Sequence, residues 1–277
     1  MATRRENETT FPIEEPFQGK TRSYLMEIHN SGKGNNFMDM PEYSGLVGTV
    51  TDLYLGVYPC RDRDLSIDRM RSSLSHPRTI LMLARHEGIP VGFGIFPRLS
   101  IDGEPILYST RAFMPDHEGQ GLGTHSLDRA IQLHQEILTK MHRSLRWGVL
   151  MTQNAFSIVT LKRLQALGRI GVIYPLDELY DRDRDAQSVL LAVHREVYMH
   201  SLSIDTLTGV SRGELRELGM NDAYRPNRDN QEAWSIHQRM VSSPPDGWDM
   251  NRERGDVVYI TFEIPRKSNG TSVAERP

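Results

Sequence analysis

Three glycines at alternating positions, Gly119, Gly121 and Gly123, lie within FMPDHEGQGLGTHSLDRAI, residues 113–131. A run rich in β-formers precedes them and an amphipathic run follows. Glycine has no Cβ, so backbone N–H groups there can approach a ligand closely, and at a helix start those groups have no intrahelical partner. Such a turn suits phosphate or another anion. It does not fit the dinucleotide fingerprint, because Ser126 stands where the third glycine belongs and no acidic residue ends a strand about 20 positions on. It also lacks the Lys-Ser/Thr of a nucleoside-triphosphate loop.

The elements that must hold this loop can be read on both sides of it. Residues 79–85, 91–96 and 105–113 read as strands joined by His86-Glu87-Gly88 and Asp102-Gly103, both tight-turn sequences, so an antiparallel meander is expected. A long helix follows over 124–141, with Leu127, Ile131, Leu133, His134 and Leu138 on its buried side. Next come a strand over 145–151, a helix over 154–167 stopped by Gly168, and a short strand over 171–174 ahead of Pro175. Upstream, 24–28 reads as a first strand, 31–36 as a loop, and 47–58 and 66–74 as short helices, the second ended by Pro77.

Downstream, 176–254 reads as a mostly helical insertion with helices over 186–199 and 231–240. The run 257–264, VVYITFEI, is a final strand that needs a sheet to join. The ends, 1–20 and 266–277, are polar and aperiodic and are expected to be frayed. Strand alternation places Leu107, Ser109, Arg111 and Phe113 on one face of the strand that leads into the glycines. Ser109 and Arg111 are its polar members, and Arg111 can either hold an acceptor carboxylate through paired bonds or pair with a neighbouring loop.

Phe113-Met114-Pro115 at the strand end, Gly121-Leu122-Gly123 at the helix start and Asn154-Ala155-Phe156-Ser157 opening the next helix together resemble the GNAT family of N-acetyltransferases. The resemblance covers roughly 22–175 and the strand at 257–264. It implies an α/β (α+β) fold: a mixed, mostly antiparallel sheet flanked by helices, with the helical insertion before the last strand. It implies an acyltransferase core over 21–175, a lid-like insertion over 176–254 beside the acceptor side of the cleft, and a core strand over 255–265. It implies acetyl-CoA or another acyl-CoA as co-substrate, and direct attack by an amine of a small molecule or peptide. Carried over for the cofactor are Phe113, Gly119, Gln120, Gly121, Leu122, Gly123, Thr124, Asn154 and Ser157, with Ser109 and Arg111 nearest the expected acyl position.

Three family positions depart from the pattern. The loop's arginine falls on Glu118, the tyrosine that acts as general acid falls on Leu161, and the glutamate that acts as general base falls on Leu107. An acyl-carrier-protein donor, or a non-catalytic CoA-binding or regulatory protein of the same fold, are the alternatives these departures leave open.

Composition excludes several other classes. The 277 residues carry 33 basic and 36 acidic side chains, without the basic excess that binding a phosphate backbone requires, so nucleic acid is not an expected partner. No run of 18 apolar residues occurs and no apolar leader opens the chain, so no membrane segment and a cytoplasmic location are expected. Cys60 is the only cysteine and cannot make an internal disulfide; Arg61 and Arg63 beside it would lower its pKa, yet an inert thiol is the plainer reading. No two of the ten histidines are three or four apart, so no metal site is expected. His117 and His125 flank the loop and read as structural, the run 181–185 as a solvated helix start, and the Asn269 sequon as polar tail. Self-association stays open.

Overall fold

A computed structural model of the chain describes residues 12–31, 37, 43–58, 62–176, 184–197, 204–212, 230–242, 247–251 and 256–265. Cys60, residues 181–183 of the acid-base run, Tyr180, Tyr198, His200, Tyr224 and the Asn269 sequon fall outside the described residues.

The elements run β1 (Ile13–Gln18), β2 (Ser23–Asn30), α1 (Tyr43–Val57), α2 (Arg63–Ser75), β3 (Thr79–His86), β4 (Ile89–Ile101), β5 (Glu104–Phe113), α3 (Leu122–Thr139), β6 (Trp147–Thr152), α4 (Ala155–Ala166), β7 (Ile173–Tyr174), α5 (Arg184–Val197), β8 (Val210–Ser211), α6 (Gln231–Val241) and β9 (Val257–Glu263). The strands form one sheet in the order β1, β2, β3, β4, β5, β6, β9, β7, with β8 also on β9. Only the β5 and β6 pair is parallel. This is the mixed, mostly antiparallel sheet flanked by helices that the sequence leads one to expect. Glu87-Gly88 and Asp102-Gly103 both have positive φ, as two-residue hairpin turns of the primed type require.

Helices cover both faces, which is why the central strands read as nearly continuous apolar runs. On β3, Ile80, Met82 and Ala84 face the layer built by α3, α4 and α6. Leu81 and Leu83 face α1 and α2. Further along that second face, Ala186, Leu190 and Val193 of α5 pack on Trp147, Val149 and Tyr259. Among the described residues, no helix is long and apolar enough to cross a membrane.

One expectation is corrected. β1 lies inside the stretch expected to be frayed: it is an edge strand with alternate residues exposed, and Pro16, tolerated at an edge, hides its signal. In the described parts of 176–254, α5 covers one sheet face, Ala233, Ile236 and Met240 of α6 join the core on the other, and β8 pairs with β9.

One buried group works against stability. Arg98 on β4 is 6% exposed, its Nη1 has no hydrogen-bond partner, and burial followed by repulsion from Arg78 and Arg143 lowers its pKa to about 10. Replacing such a charge with an apolar side chain of similar length is commonly neutral or stabilising. Arg98→Met is expected to raise stability at pH 7 by on the order of 1 kcal/mol, read as a higher urea midpoint with an unchanged slope; a lower midpoint would show that Arg98 holds the fold together.

Candidate functional site

The site begins where a ladder stops. β5 and β6 pair from Ile106 with Trp147 to Ser109 with Leu150, although β5 runs on to Phe113 and β6 to Thr152. Met114 N–H donates to Val91 O at 2.8 Å on the β4 side. Alternation therefore turns the N–H groups of Phe113 and Arg111 toward the gap between β5 and β6.

Directly after β5, Pro115–His117 form a single tight turn, and the chain enters α3 through Gly121, its N-cap, with φ of 91° and no capping side chain. The first N–H groups of α3 are thus left for a ligand. At Gly123 an added Cβ would lie 3.2 Å from Thr160 Oγ1 and 3.7 Å from both Arg111 Nη1 and Phe113, so a side chain there presses on Thr160 and narrows the floor of the loop. Across the gap, Asn154 caps α4 by accepting from Phe156 N–H at 2.9 Å, and its own N–H donates to Thr152 Oγ1 at 2.8 Å.

These parts line one open cleft of about 830 Å³, solvent mouth included. Its wall contains Arg111, Phe113, Gly119, Gly121, Leu122, Gly123, Thr124, Asn154 and Ser157, nine of the eleven residues expected from sequence. Gln120 turns away instead, its side-chain oxygen accepting from Thr21 N–H at 3.0 Å. Ser109 lies in a second cavity on the α1 side, with Tyr54, Met151 and Gln153, and its buried hydroxyl has no partner. Arg111, Tyr58 and Ser157 line both spaces and so mark where they meet.

Arg111 is not free to clamp a carboxylate with its whole fork, because Nη1 donates to Gly123 O at 2.7 Å and ties β5 to the first turn of α3. Burial lowers its pKa to about 10, which still leaves it cationic at neutral pH. Glu118 is the only carboxylate on the cleft wall among the described residues. Burial raises its pKa to about 7, against a hydrogen bond from Asn154 that favours the ionised form. His117, also on the wall, has its pKa lowered by burial, then by Arg22 and His86. The family's acid and base positions, Leu161 and Leu107, are both fully buried in the apolar core.

Sequence reasoning missed Lys20, Tyr58, Phe156, Thr160, Arg163 and Asn230 on this wall. Arg163 and Thr160 were legible in principle, standing on α4 at spacings of 6 and 3 from Ser157. Lys20 and Asn230 come from distant segments and carried no signal.

No protein-family model matches the sequence, and no curated protein matches it. Solved structures do resemble it in part. A proposed acetyltransferase from Pyrococcus horikoshii is 14% identical over 58% of this chain and 46% of its own, with a TM-score of 0.37. The GNAT domain of S. lividans PAT is 12% identical over 62% of this chain and 95% of its own, with a TM-score of 0.40. The aminoglycoside N-acetyltransferase AAC(6')-Iy in complex with CoA is 16% identical over 53% of this chain and 89% of its own, with a TM-score of 0.35.

The upward shift of Glu118 has a definite consequence. The folded state binds this proton more tightly than the unfolded state, so the carboxyl costs nothing below its ordinary value of 4.5 and destabilises increasingly as pH rises toward and past 7. Glu118→Gln is therefore expected to stabilise the protein at pH 8 by on the order of 1 to 2 kcal/mol and to leave it nearly unchanged at pH 4.5. Denaturant titration at both pH values reads the difference, and an equal gain at both would contradict it.

Proposed function

We propose that the chain is a CoA-dependent N-acyltransferase of the GNAT type, acting on an amine of a small molecule or peptide. The observation that carries this reading is the convergence of the β5–β6 gap, the glycine loop and the starts of α3 and α4 on one cleft that a second cavity meets at Arg111. The wall fits the diphosphate of an acyl-CoA: α3 begins without a side-chain cap, and Gly123 leaves space that any larger residue would fill.

A bound acyl-CoA supplies a thioester whose carbonyl carbon an amine can attack, the C–N bond forming as the C–S bond breaks. The chain's own residues then have three tasks. N–H groups at the start of α3 receive negative charge, as helix starts do. The Phe113 and Arg111 N–H groups, turned into the gap, supply donors where charge grows on the carbonyl oxygen. The α1-side cavity holds the amine in line with that gap, so that positioning does most of the work. Leu107 and Leu161 cannot transfer protons, so the amine proton leaves through water in the gap. The cytoplasm, where acyl-CoA is available, is the expected place of action.

A non-catalytic CoA-binding protein is the second reading, favoured by those two buried leucines. Acetyl-CoA is expected to raise the thermal midpoint, because a ligand of the folded state stabilises by mass action. Gly123→Val, which fills the cleft floor, is expected to abolish that shift while the unliganded midpoint reports whether the variant folds. A shift in the wild type with no acyl transfer to any of a broad set of amines would favour the second reading; no shift at all would overturn both.

Affinity should also depend on pH. The cleft wall carries the basic side chains Lys20, Arg111 and Arg163; Glu118 facing them loses its charge below about 7, and burial pushes the His117 imidazole below its ordinary value. Removing a carboxylate's charge beside a diphosphate removes repulsion. Binding of acetyl-CoA is expected to tighten several-fold from pH 8 to pH 6, and Glu118→Gln to flatten that dependence. Calorimetry at the two pH values checks this, and a wild-type affinity that weakens toward pH 6 would refute it.

A further inference from the structure

We propose that Lys20, on the turn between β1 and β2, is a phosphate-binding residue of the cleft, supplying from a separate hairpin the cation that the glycine loop itself lacks. The choice of ligand rests on the acyl-CoA reading; the choice of residue rests on geometry.

β1 and β2 pair from Ile13 with Ile28 to Gln18 with Ser23, which leaves residues 19–22 as the turn, closed by Gly19 N–H donating to Arg22 O at 2.9 Å. That turn is bolted to the loop. Gln120 Oε1 accepts from Thr21 N–H at 3.0 Å and from Thr21 Oγ1 at 3.2 Å, and Arg22 Nη1 donates to Asp116 O at 3.0 Å. Tyr24 Oη lies 3.1 Å from His117 Nδ1, and the Phe17 ring stacks on His125 with centroids 4.3 Å apart. A Cβ on Gly19 would sit 3.1 Å from Gln120 O, so hairpin and loop are pressed together without room for a side chain between them.

Hairpin and loop are therefore joined as one unit, and Lys20 is the hairpin residue that lines the cleft. Across the wall stand Arg111 from β5 and Arg163 from α4, so three cations from three elements face a site whose loop carries Glu118. Arg111 has committed one donor to Gly123 O. Lys20, exposed and on a flexible stem, can follow phosphate oxygens that a fixed guanidinium cannot. The hairpin thus does more than end the sheet: it sets a charge opposite the loop.

The test is calorimetry of wild type, Lys20→Ala, Lys20→Glu and Lys20→Arg with CoA, pantetheine and inorganic pyrophosphate. Lys20 is exposed, so folding is unaffected, which unchanged melting confirms. Lys20→Ala is expected to weaken CoA and pyrophosphate by roughly 5- to 10-fold, and Lys20→Glu by more, while pantetheine, which has no phosphate, binds as before and Lys20→Arg restores most of the loss. CoA affinity unmoved by both Lys20→Ala and Lys20→Glu, or pantetheine weakened equally, overturns the proposal and leaves the acyl-CoA reading standing. Lys20-dependent pyrophosphate binding in a wild type that takes neither pantetheine nor CoA supports Lys20 and overturns the acyl-CoA reading. A wild type that binds none of the phosphates overturns both.

Discussion

The parallel ladder between β5 and β6 lasts four residue pairs and then cannot continue, and the cleft depends on that failure. Each strand is held more firmly on its other side: β5 to β4 as far as Phe113 with Gly92, and β6 to β9 as far as Thr152 with Val258. Twist accumulates across a sheet, and a parallel pair must be joined by a crossover, here through α3. The two antiparallel halves therefore rotate away from one another at the one place where only a short parallel ladder joins them. Backbone donors freed by the split face the gap, and the helix that makes the crossover begins beside it.

Electrostatics follows from where the loop sits. A helix start is a weak anion site by itself, because its partial charge fades within a turn. In this chain the loop adds a carboxylate rather than a cation, and the cations of the cleft stand on other elements. Arg111 reaches up from the strand below and is fixed by Gly123 O. Arg163 stands on α4 across the gap. Both can act there only because the sheet has opened beneath the loop. Glu118, held between burial and the Asn154 side chain, makes the cleft's charge sensitive to pH in the neutral range.

Much of this was legible in the sequence where signals are local. The hairpin turns at Glu87-Gly88 and Asp102-Gly103, the period of α3 and the start of α4 at Asn154 each depend on neighbouring residues, and each was read correctly. β1 was not legible: an edge strand with one wet face and a proline looks like a polar tail until β2 is there to pair with it. The partner of the Gln120 side chain was not legible for a similar reason, since its oxygen accepts from Thr21 N–H, 99 positions away. Arg111 was placed on the right face, but the carbonyl that claims its Nη1 belongs to a loop whose path only the fold decides.

The stretch before the last strand shows how a segment that reads as added can be necessary. β9 makes β6 an interior strand, and without it the far wall of the gap would be a free edge. α5 and α6 then cover the two faces of that half-sheet, α5 over Trp147 and Val149, α6 against the layer containing α4. The same stretch touches the cleft at Asn230, which caps α6 by accepting from Ala233 N–H at 3.2 Å and lies on the wall that carries the glycine loop. Among the described residues, this stretch lines the loop-side cleft at Asn230 and none of it lines the α1-side cavity. β9 pairs with β6 along the edge away from the gap and α6 joins the layer that contains α4, so the far wall of the gap and Asn154 at the start of α4 are held by elements that follow them in the chain.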